Sequence, residues 1–193
     1  MALRPAFDAL FDLDDALAEV VARSREPALG AIKLAWWREQ LSGLDAGQVP
    51  AEPRLRAVAA ELLPRRVSGA ALAELTDGWT ALFDQTPDIE QIGGGGVKLF
   101  AIAASVLGAE DRLIEAAGRL YRQQQVSRRG LSAVDWPMDE LDQLSRHRFD
   151  KAARPLTGLA ALARRDARRG GDEREATPGR SWALMRHRLT GRI

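Results

Sequence analysis

The sequence predicts an all-α protein, and three observations support this class. Ala, Leu, Arg and Glu dominate the composition and β-branched residues are scarce, so strong helix formers fill most of the chain. Pro and Gly lie mainly between apolar stretches, where helices begin and end. Within those stretches, apolar residues recur at helical spacing. We predict a single-domain helical bundle of about eight helices over residues 1–193, a length that buries one substantial core.

The first two helices have the clearest patterns. Apolar residues and Asp14 follow a 3.6-residue rhythm over residues 3–22. The second helix is predicted over residues 26–44, because proline suits a first helical turn. Its apolar positions form a broad stripe, and adjacent Trp36 and Trp37 are predicted to widen the buried face together. The other residues assigned to this stripe are Leu29, Ile32, Leu34, Leu41 and Leu44.

Caps and breakers divide the rest of the chain into further helices. Gly108 is predicted to end a central buried helix, and residues 132–137 are predicted to be irregular because Pro137 disfavours helix before it. The predicted segments are 54–66, one capped by Ser68, one capped by Thr86, 97–107, 109–128, 149–169 and a final helix that starts at Thr177.

Four consecutive glycines occupy residues 93–96 and are followed by Val97 and Lys98. A phosphate-binding P-loop would need Lys-Ser/Thr directly after the glycines and a strand before them. Neither is present, so we interpret the glycines as a helix break or as a place where two helices approach closely.

Composition argues against several classes of partner and site. The chain has 28 Lys and Arg against 27 Asp and Glu, and this balance favours no nucleic-acid partner. The absence of cysteine excludes disulfides and thiolate metal sites. His147 and His187 both lie between arginines, and we predict a solvated helix face for each. No stretch reaches the roughly 18–20 apolar residues of a spanning helix, so we expect a cytoplasmic protein, with peripheral contact at the inner membrane as an open alternative.

Three stretches resemble a known family. Residues 26–41, EPALGAIKLAWWREQL, resemble the EPxLGxIRLxWWRExL segment of bacterial proteins in the squalene/phytoene synthase family. Residues 127–137, SRRGLSAVDWP, are similar to its ARRGRxYLP segment, and residues 177–193 are similar to the ending of many short bacterial members. The resemblance covers nearly the whole chain and implies an isoprenoid-synthase type of fold around an apolar prenyl pocket. It also implies that the family's usual N-terminal helix is missing.

Catalytic members of that family hold Mg²⁺ with two DxxxD motifs on facing helices. A spacing of four places both carboxylates on one helix face, and Mg²⁺ takes oxygen ligands. Asp15 and Glu19 have this spacing on an early helix. A second alignment, with residues 11–13 on the family's YAF, gives Ala18 and Ala22 instead. A third interpretation is a solvated acidic face made of Asp12, Asp14, Asp15 and Glu19.

The second motif is missing from the sequence. Alignment of SRRG with the family's ARRG places the two aspartates at Arg122 and Val126, and residues 116–134 contain no Asp or Glu. Asp135 and Trp136 also replace the Tyr and Leu expected before the proline. One motif alone does not build the usual trinuclear site, so Mg²⁺ is expected only if the protein is active through Asp15 and Glu19, and otherwise no cofactor is expected.

Other residues of the predicted site are cationic or aromatic. Arg122, Arg128 and Arg129 are candidates to bind a diphosphate without metal, since guanidinium groups pair with phosphate oxygens; the alternative is an exposed basic face. Tyr121, the single tyrosine, either lines a remnant substrate pocket or packs between helices. The final helix is basic and amphipathic, and Trp182, Leu184 and Leu189 would form its apolar side on a membrane or a partner.

Three functions stay open at this point. The first is a non-catalytic squalene/phytoene synthase-like protein that binds an isoprenoid or a protein partner, as the family's complex I assembly factors imply. The second is an active prenyltransferase that uses farnesyl or geranylgeranyl diphosphate and makes squalene or phytoene. The third is a helical interaction module without a pocket. Fold alone does not choose among them.

Overall fold

The computed structural model describes residues 3–132, 138–170 and 173–193. These ranges form an all-helical arrangement, which confirms the predicted class of an all-α bundle with about eight helices. Only Glu74 separates α4 from α5. The α-helices are α1 (Arg4–Arg23), α2 (Pro27–Gly43), α3 (Pro53–Glu61), α4 (Gly69–Ala73), α5 (Leu75–Thr80), α6 (Ile89–Leu107), α7 (Ile114–Arg128), α8 (Met138–Arg146), α9 (Arg154–Arg168) and α10 (Pro178–Thr190).

Helices α6 and α7 form the centre of the bundle. They pack most extensively on each other, with α5 beside α6, α9 beside α7 and α10 outside α9, while α1 reaches α5 and α6 from the other side. The interior is filled mainly by large apolar side chains with less than 2% exposure, among them Leu10, Leu13, Leu17, Trp79 and Phe100. Burial of this kind is the main favourable term in folding.

Three predicted helix ends are confirmed by the cap geometry, whereas α6, α7 and α9 begin at Ile89, Ile114 and Arg154 and not at the predicted positions 97, 109 and 149. The Ser68 hydroxyl accepts from the Ala71 N–H at 3.1 Å, and Thr177 caps α10 in the same way. Gly108 ends α6 in the left-handed region, with φ +63°, where glycine has no steric penalty. The prediction of Thr86 as a cap is wrong, because the Asp88 carboxylate accepts from the first N–H groups of α6. Most of the irregular stretch predicted at 132–137 lies outside the described residues.

The predicted orientation of α2 is only partly correct. Trp37, Leu34 and Leu41 are buried, whereas Trp36 is 43% exposed, and Leu29 and Ile32 are also exposed. The prediction that both tryptophans widen the buried face is therefore wrong for Trp36. The helix carries two overlapping apolar stripes, and periodicity does not show which of them faces the core.

The four glycines lie within α6 and allow close helix packing, as one of the two interpretations predicted. A Cβ at Gly96 would overlap the Gly118 carbonyl oxygen on α7, and a Cβ at Gly78 on α5 would lie 2.9 Å from the Gly95 Cα. Gly94 faces open space, with nothing within 4 Å of an added Cβ. Helices α5, α6 and α7 therefore meet backbone to backbone at this level of the bundle.

The prediction of a solvated helix face is wrong for both histidines. His147 follows α8, and its Nε2 lies 2.8 Å from Asp111 Oδ2. His187 on α10 is 1% exposed and its Nε2 lies 3.0 Å from the Thr157 hydroxyl. Burial is the main cause that lowers the pKa of His187, so this histidine is neutral at physiological pH and serves packing between α9 and α10.

Candidate functional site

Two ion pairs join α1 to Arg122 of α7 and to Arg129, the residue that directly follows α7. In the inner pair, Arg122 Nη2 donates to Asp14 Oδ1 over 2.6 Å, and the two side chains are 0% and 1% exposed. In the outer pair, Arg129 Nη2 lies 2.7 Å from Asp15 Oδ1, and the side chains are 28% and 57% exposed. The two carboxylates belong to adjacent residues of α1. Because successive side chains of a helix point in different directions, Asp14 is directed inward and Asp15 toward the surface.

The inner pair is fixed by its neighbours in the core. Trp79 Nε1 donates a second hydrogen bond to Asp14 Oδ1 over 2.9 Å, and the Arg122 guanidinium lies 3.9 Å from the centroid of the Trp79 ring, a cation–π contact. Gly96 leaves room for the Arg122 side chain. A Cβ added at Gly96 would overlap the Cβ of Arg122. The interpretation of Asp14 as part of a solvated acidic face is therefore wrong. Arg122, predicted to bind substrate or lie on an exposed face, is instead a core residue.

The outer pair opens into a cavity of about 430 Å³ between α1, α7, α9 and α10, which we call the polar pocket. Tyr121 and Gln125 of α7 form part of its wall, and the Gln125 amide donates to the Tyr121 hydroxyl. Its lining residues are Asp15, Tyr121, Gln124, Gln125, Arg128, Arg129, Leu159, Leu162, Glu175, Ala176, Arg180, Ser181 and Leu184.

A second buried carboxylate organises the floor of the polar pocket. Asp166 on α9 is fully buried and accepts from Gln124 Nε2 at 2.6 Å and from Arg128 Nη1 at 3.2 Å. Its other oxygen accepts from Arg180 on α10. Charge-assisted hydrogen bonds of this kind are directional and strong. Asp166 thus fixes the two arginines that line the pocket beside Arg129.

Burial and charge change the acidity of two groups in the polar pocket. Burial is the main cause that raises the pKa of Asp15, and Arg129 opposes it. Burial, followed by the charges of Asp14 and Asp15, raises the pKa of Tyr121 well above its usual range. The phenol is therefore neutral at physiological pH, and Asp15 is the acid of this pocket that protonates more readily than usual.

An apolar groove of about 620 Å³ lies beside the polar pocket, between α9 and α10. The two cavities share Leu159, Leu162 and Leu184 in their walls. Gly158 lies at the base, where an added Cβ would meet Leu184 at 3.4 Å. The groove is lined by Lys151, Arg154, Pro155, Gly158, Leu159, Leu162, Leu184, His187 and Arg188. The polar pocket, which is lined by three arginines and two carboxylates, thus shares an apolar wall with the groove.

The structure brings together four of the six predicted site residues. Asp15, Tyr121, Arg128 and Arg129 line the polar pocket. Tyr121 also packs between helices, against the rings of Phe11 and Phe100. Two sequence interpretations of this tyrosine are therefore compatible with its position.

The residues present do not fit the magnesium site that the resemblance implies. Glu19 pairs with Arg23 at 3.3 Å and Asp15 pairs with Arg129, so each carboxylate of the first motif already faces a guanidinium. On α7, the aligned first position of the second motif holds Arg122, a cation buried against Asp14, and such a charge repels a metal ion. Within the described ranges, no group of three or more His, Asp or Glu side chains could hold a metal ion.

Sequence reasoning missed Asp166 and assigned Arg180 only to the basic final helix, although the two together hold the pocket in shape. Their signal was present in part, because Asp166 interrupts the run of arginines near the end of α9 and Arg180 lies in the first turn of a basic helix. A single charged residue within such a run is usually a solvated one. The roles of Asp166 and Arg180 depend on contacts between α7, α9 and α10, and the spacing of residues in the sequence does not reveal such contacts.

Comparisons of the chain with family models, with curated proteins and with solved structures find no match. In the parts of the chain that the structure describes, none of the helices combines the length and hydropathy needed to cross a membrane.

Proposed function

We propose that this chain is a squalene/phytoene synthase-like protein that binds an isoprenoid diphosphate without condensing it. The family and its isoprenoid-synthase type of fold are proposed from the resemblance of residues 26–41 and 177–193. The observation that carries the binding is the wall of three leucines that the polar pocket shares with the apolar groove. A diphosphate needs cationic donors, a prenyl chain needs an apolar wall, and here the two follow each other along α9 and α10.

Arg129 is the group that would hold the diphosphate. Its side chain is partly exposed, and its present partner, Asp15, is more than half exposed. A diphosphate carries more charge than a carboxylate and matches the guanidinium fork, so it can replace Asp15 while that carboxylate turns to water. Arg128 and Arg180 stay anchored on Asp166 and line the pocket beside Arg129.

The inner pair supports the absence of condensation chemistry. In the catalytic family, carboxylates on two facing helices hold the Mg²⁺ ions that neutralise the departing pyrophosphate. By the alignment of SRRG, Arg122 occupies the first position of the second motif. Its guanidinium neutralises Asp14 across α1 and α7, so a cation of the protein itself lies between the helices that would carry the metal site.

Calorimetric titration tests the binding. We expect farnesyl diphosphate to bind more tightly than either inorganic pyrophosphate or farnesol, because it fills both cavities. Arg129→Ala should weaken farnesyl diphosphate binding about 10- to 100-fold, the size of a lost charge-assisted hydrogen bond. The matched control is Arg23→Ala. This change removes an exposed arginine of α1 whose ion-pair partner among the described residues is Glu19, and it should leave the Kd unchanged.

Two outcomes would contradict the proposal. Release of pyrophosphate with a hydrocarbon product, in the presence of Mg²⁺ and labelled farnesyl or geranylgeranyl diphosphate, would establish an active prenyltransferase. No binding of any of the three ligands would leave a helical interaction module as the function.

A further inference from the structure

A cluster of arginines lies on the surface of α9 and α10. It is formed by different residues of these helices from those that line the apolar groove. A cavity of about 270 Å³ there is lined by Arg164, Arg165, Arg168, Arg169 and Arg186. Trp182 completes its rim and is 61% exposed. The chain as a whole has a formal net charge of only +1, so this surface is a local excess of positive charge.

Three of these arginines lack a compensating carboxylate. Arg165 and Arg169 pair with Glu173, at 3.0 and 3.8 Å. In contrast, none of the carboxylates among the described residues lies close enough to Arg164, Arg168 or Arg186 to form an ion pair. Burial, followed by the charges of Arg168 and Arg186, lowers the pKa of Arg164, and the charge of Asp142, the smallest of these causes, opposes them. Unbalanced cations at short range are stabilised by a bound anion.

An apolar strip runs along α10 beside these arginines. Trp182, Met185 and Leu189 are 61%, 47% and 70% exposed. Their spacing of three and four places them on one helix face, and Arg186 lies one turn after Trp182 on the same side. Contiguous exposed apolar side chains are uncommon on proteins with no partner.

We propose that this arginine surface, made of Arg164, Arg168 and Arg186 together with Trp182, Met185 and Leu189, docks on an anionic phospholipid membrane. The guanidinium groups contact phosphate headgroups, and the apolar strip enters the layer between headgroups and acyl chains, where tryptophan is favoured. A nucleic acid would supply phosphates without an apolar phase for Met185 and Leu189. The surface lies apart from the polar pocket, so it stands independently of the proposed function.

Vesicle co-sedimentation of the full chain tests this surface. We expect binding to vesicles of phosphatidylcholine with phosphatidylglycerol and none to phosphatidylcholine alone. At roughly fivefold in the partition coefficient for each arginine, about 1 kcal/mol, the variant Arg164→Gln/Arg168→Gln/Arg186→Gln should bind about 100-fold less well. Met185→Ser/Leu189→Ser should reduce binding about tenfold. All five side chains lie at least partly in solvent, and an unchanged melting temperature verifies the fold.

The matched control removes three exposed arginines elsewhere. Arg25→Gln/Arg56→Gln/Arg112→Gln changes the net charge by the same amount and should alter vesicle binding less than about threefold, because these residues lie away from the apolar strip. Equal losses in both triple variants would show attraction by net charge only and overturn the proposal. Equal binding of the wild type to both kinds of vesicle, binding to neither, or saturable binding of inorganic phosphate without vesicle binding would overturn it as well.

Discussion

The inner and outer pairs show how adjacent residues of one helix are used for different purposes. Both pairs join a carboxylate of α1 to an arginine in or directly after α7 at nearly the same distance, 2.6 and 2.7 Å. They differ in exposure, and exposure decides their energetics. A buried pair is costly to break because the remaining charge stays in the core, whereas an exposed pair contributes little to stability and can exchange its partner for a ligand. The first therefore fixes the helices and the second is free for binding.

The largest expected effect is the loss of one member of the inner pair. Arg122→Ala leaves Asp14 charged in the core, and we expect the free energy of unfolding to fall by about 3–5 kcal/mol. Arg129→Ala, the matched change in the outer pair, should cost less than about 1 kcal/mol. Chemical denaturation followed by circular dichroism measures both values.

A double variant sharpens this comparison. Asp14→Leu/Arg122→Met replaces the whole inner pair by apolar side chains, and we expect it to be more stable than Arg122→Ala because no charge remains buried. If the double variant were as unstable as the sum of its single changes, the shape of the core and not the buried charge would explain the loss.

A smaller effect is expected from the glycines that give Arg122 its space. Gly96→Ala forces a methyl group against the Gly118 carbonyl and the Arg122 side chain, and we expect a loss of about 1–3 kcal/mol. Gly94→Ala, two residues away in the same helix, meets nothing within 4 Å and should stabilise by about 0.5–1 kcal/mol through helix propensity. Thermal unfolding of the two variants would contradict this packing argument if their melting temperatures moved together.

Asp15 determines how pH affects the outer pair. Its pKa is raised above 3.8, mainly by burial, so the pocket loses a negative charge at a higher pH than an ordinary aspartate would allow. We expect diphosphate affinity to rise as pH falls through this raised pKa, since Arg129 is then released. Asp15→Asn should bind about 3- to 10-fold more tightly at neutral pH, about 1 kcal/mol, and remove this component of the pH profile. Pyrophosphate titrated against both proteins over a pH series measures the difference.

The smallest expected effect is on stability. A raised pKa means that the folded state holds the proton of Asp15 more firmly than the unfolded state, so the contribution of Asp15 to stability falls as pH rises from 3.8 through the folded-state pKa. The side chain is 57% exposed, and screening keeps the change below about 0.5 kcal/mol. At pH values above this interval, the denaturation midpoint of the wild type should therefore be slightly lower than that of Asp15→Asn. The opposite order would show that the bond to Arg129 outweighs burial.

Much of the fold follows from local signals. Helix formers predict the class of the fold, and the Ser68 and Thr177 caps and Gly108 predict three helix ends, because each acts within one turn of the chain. Thr86 was predicted as the N-cap of α6 in place of Asp88, because both residue types are good caps and the two lie only two residues apart. Trp36 is the instructive failure, because its exposure depends on which stripe of α2 meets the neighbouring helices.

The candidate site was less predictable. Arg128, Arg129, Tyr121 and Asp15 were identified from charge, aromatic character and the alignment, and the structure places all of them around one pocket. The inner pair was not predicted, because it joins residues that lie 108 positions apart. In the sequence, an arginine that will be buried has no pattern that distinguishes it from a surface arginine, because its partner lies on another helix.

The contact of Gly96 with Gly118 bears on the order in which the chain folds. Helices α6 and α7 are joined by the short connection 108–113, so they can dock with little loss of loop entropy, and local contacts of this kind favour rapid folding. We expect this helical hairpin to form in the transition state, before α1 arrives with Asp14. Gly96→Ala should then slow refolding more than it accelerates unfolding, whereas Asp14→Ala should act mainly on the unfolding rate, and stopped-flow kinetics distinguish the two. In that sequence of events the arginine enters the core first, and the aspartate that neutralises it completes the native state.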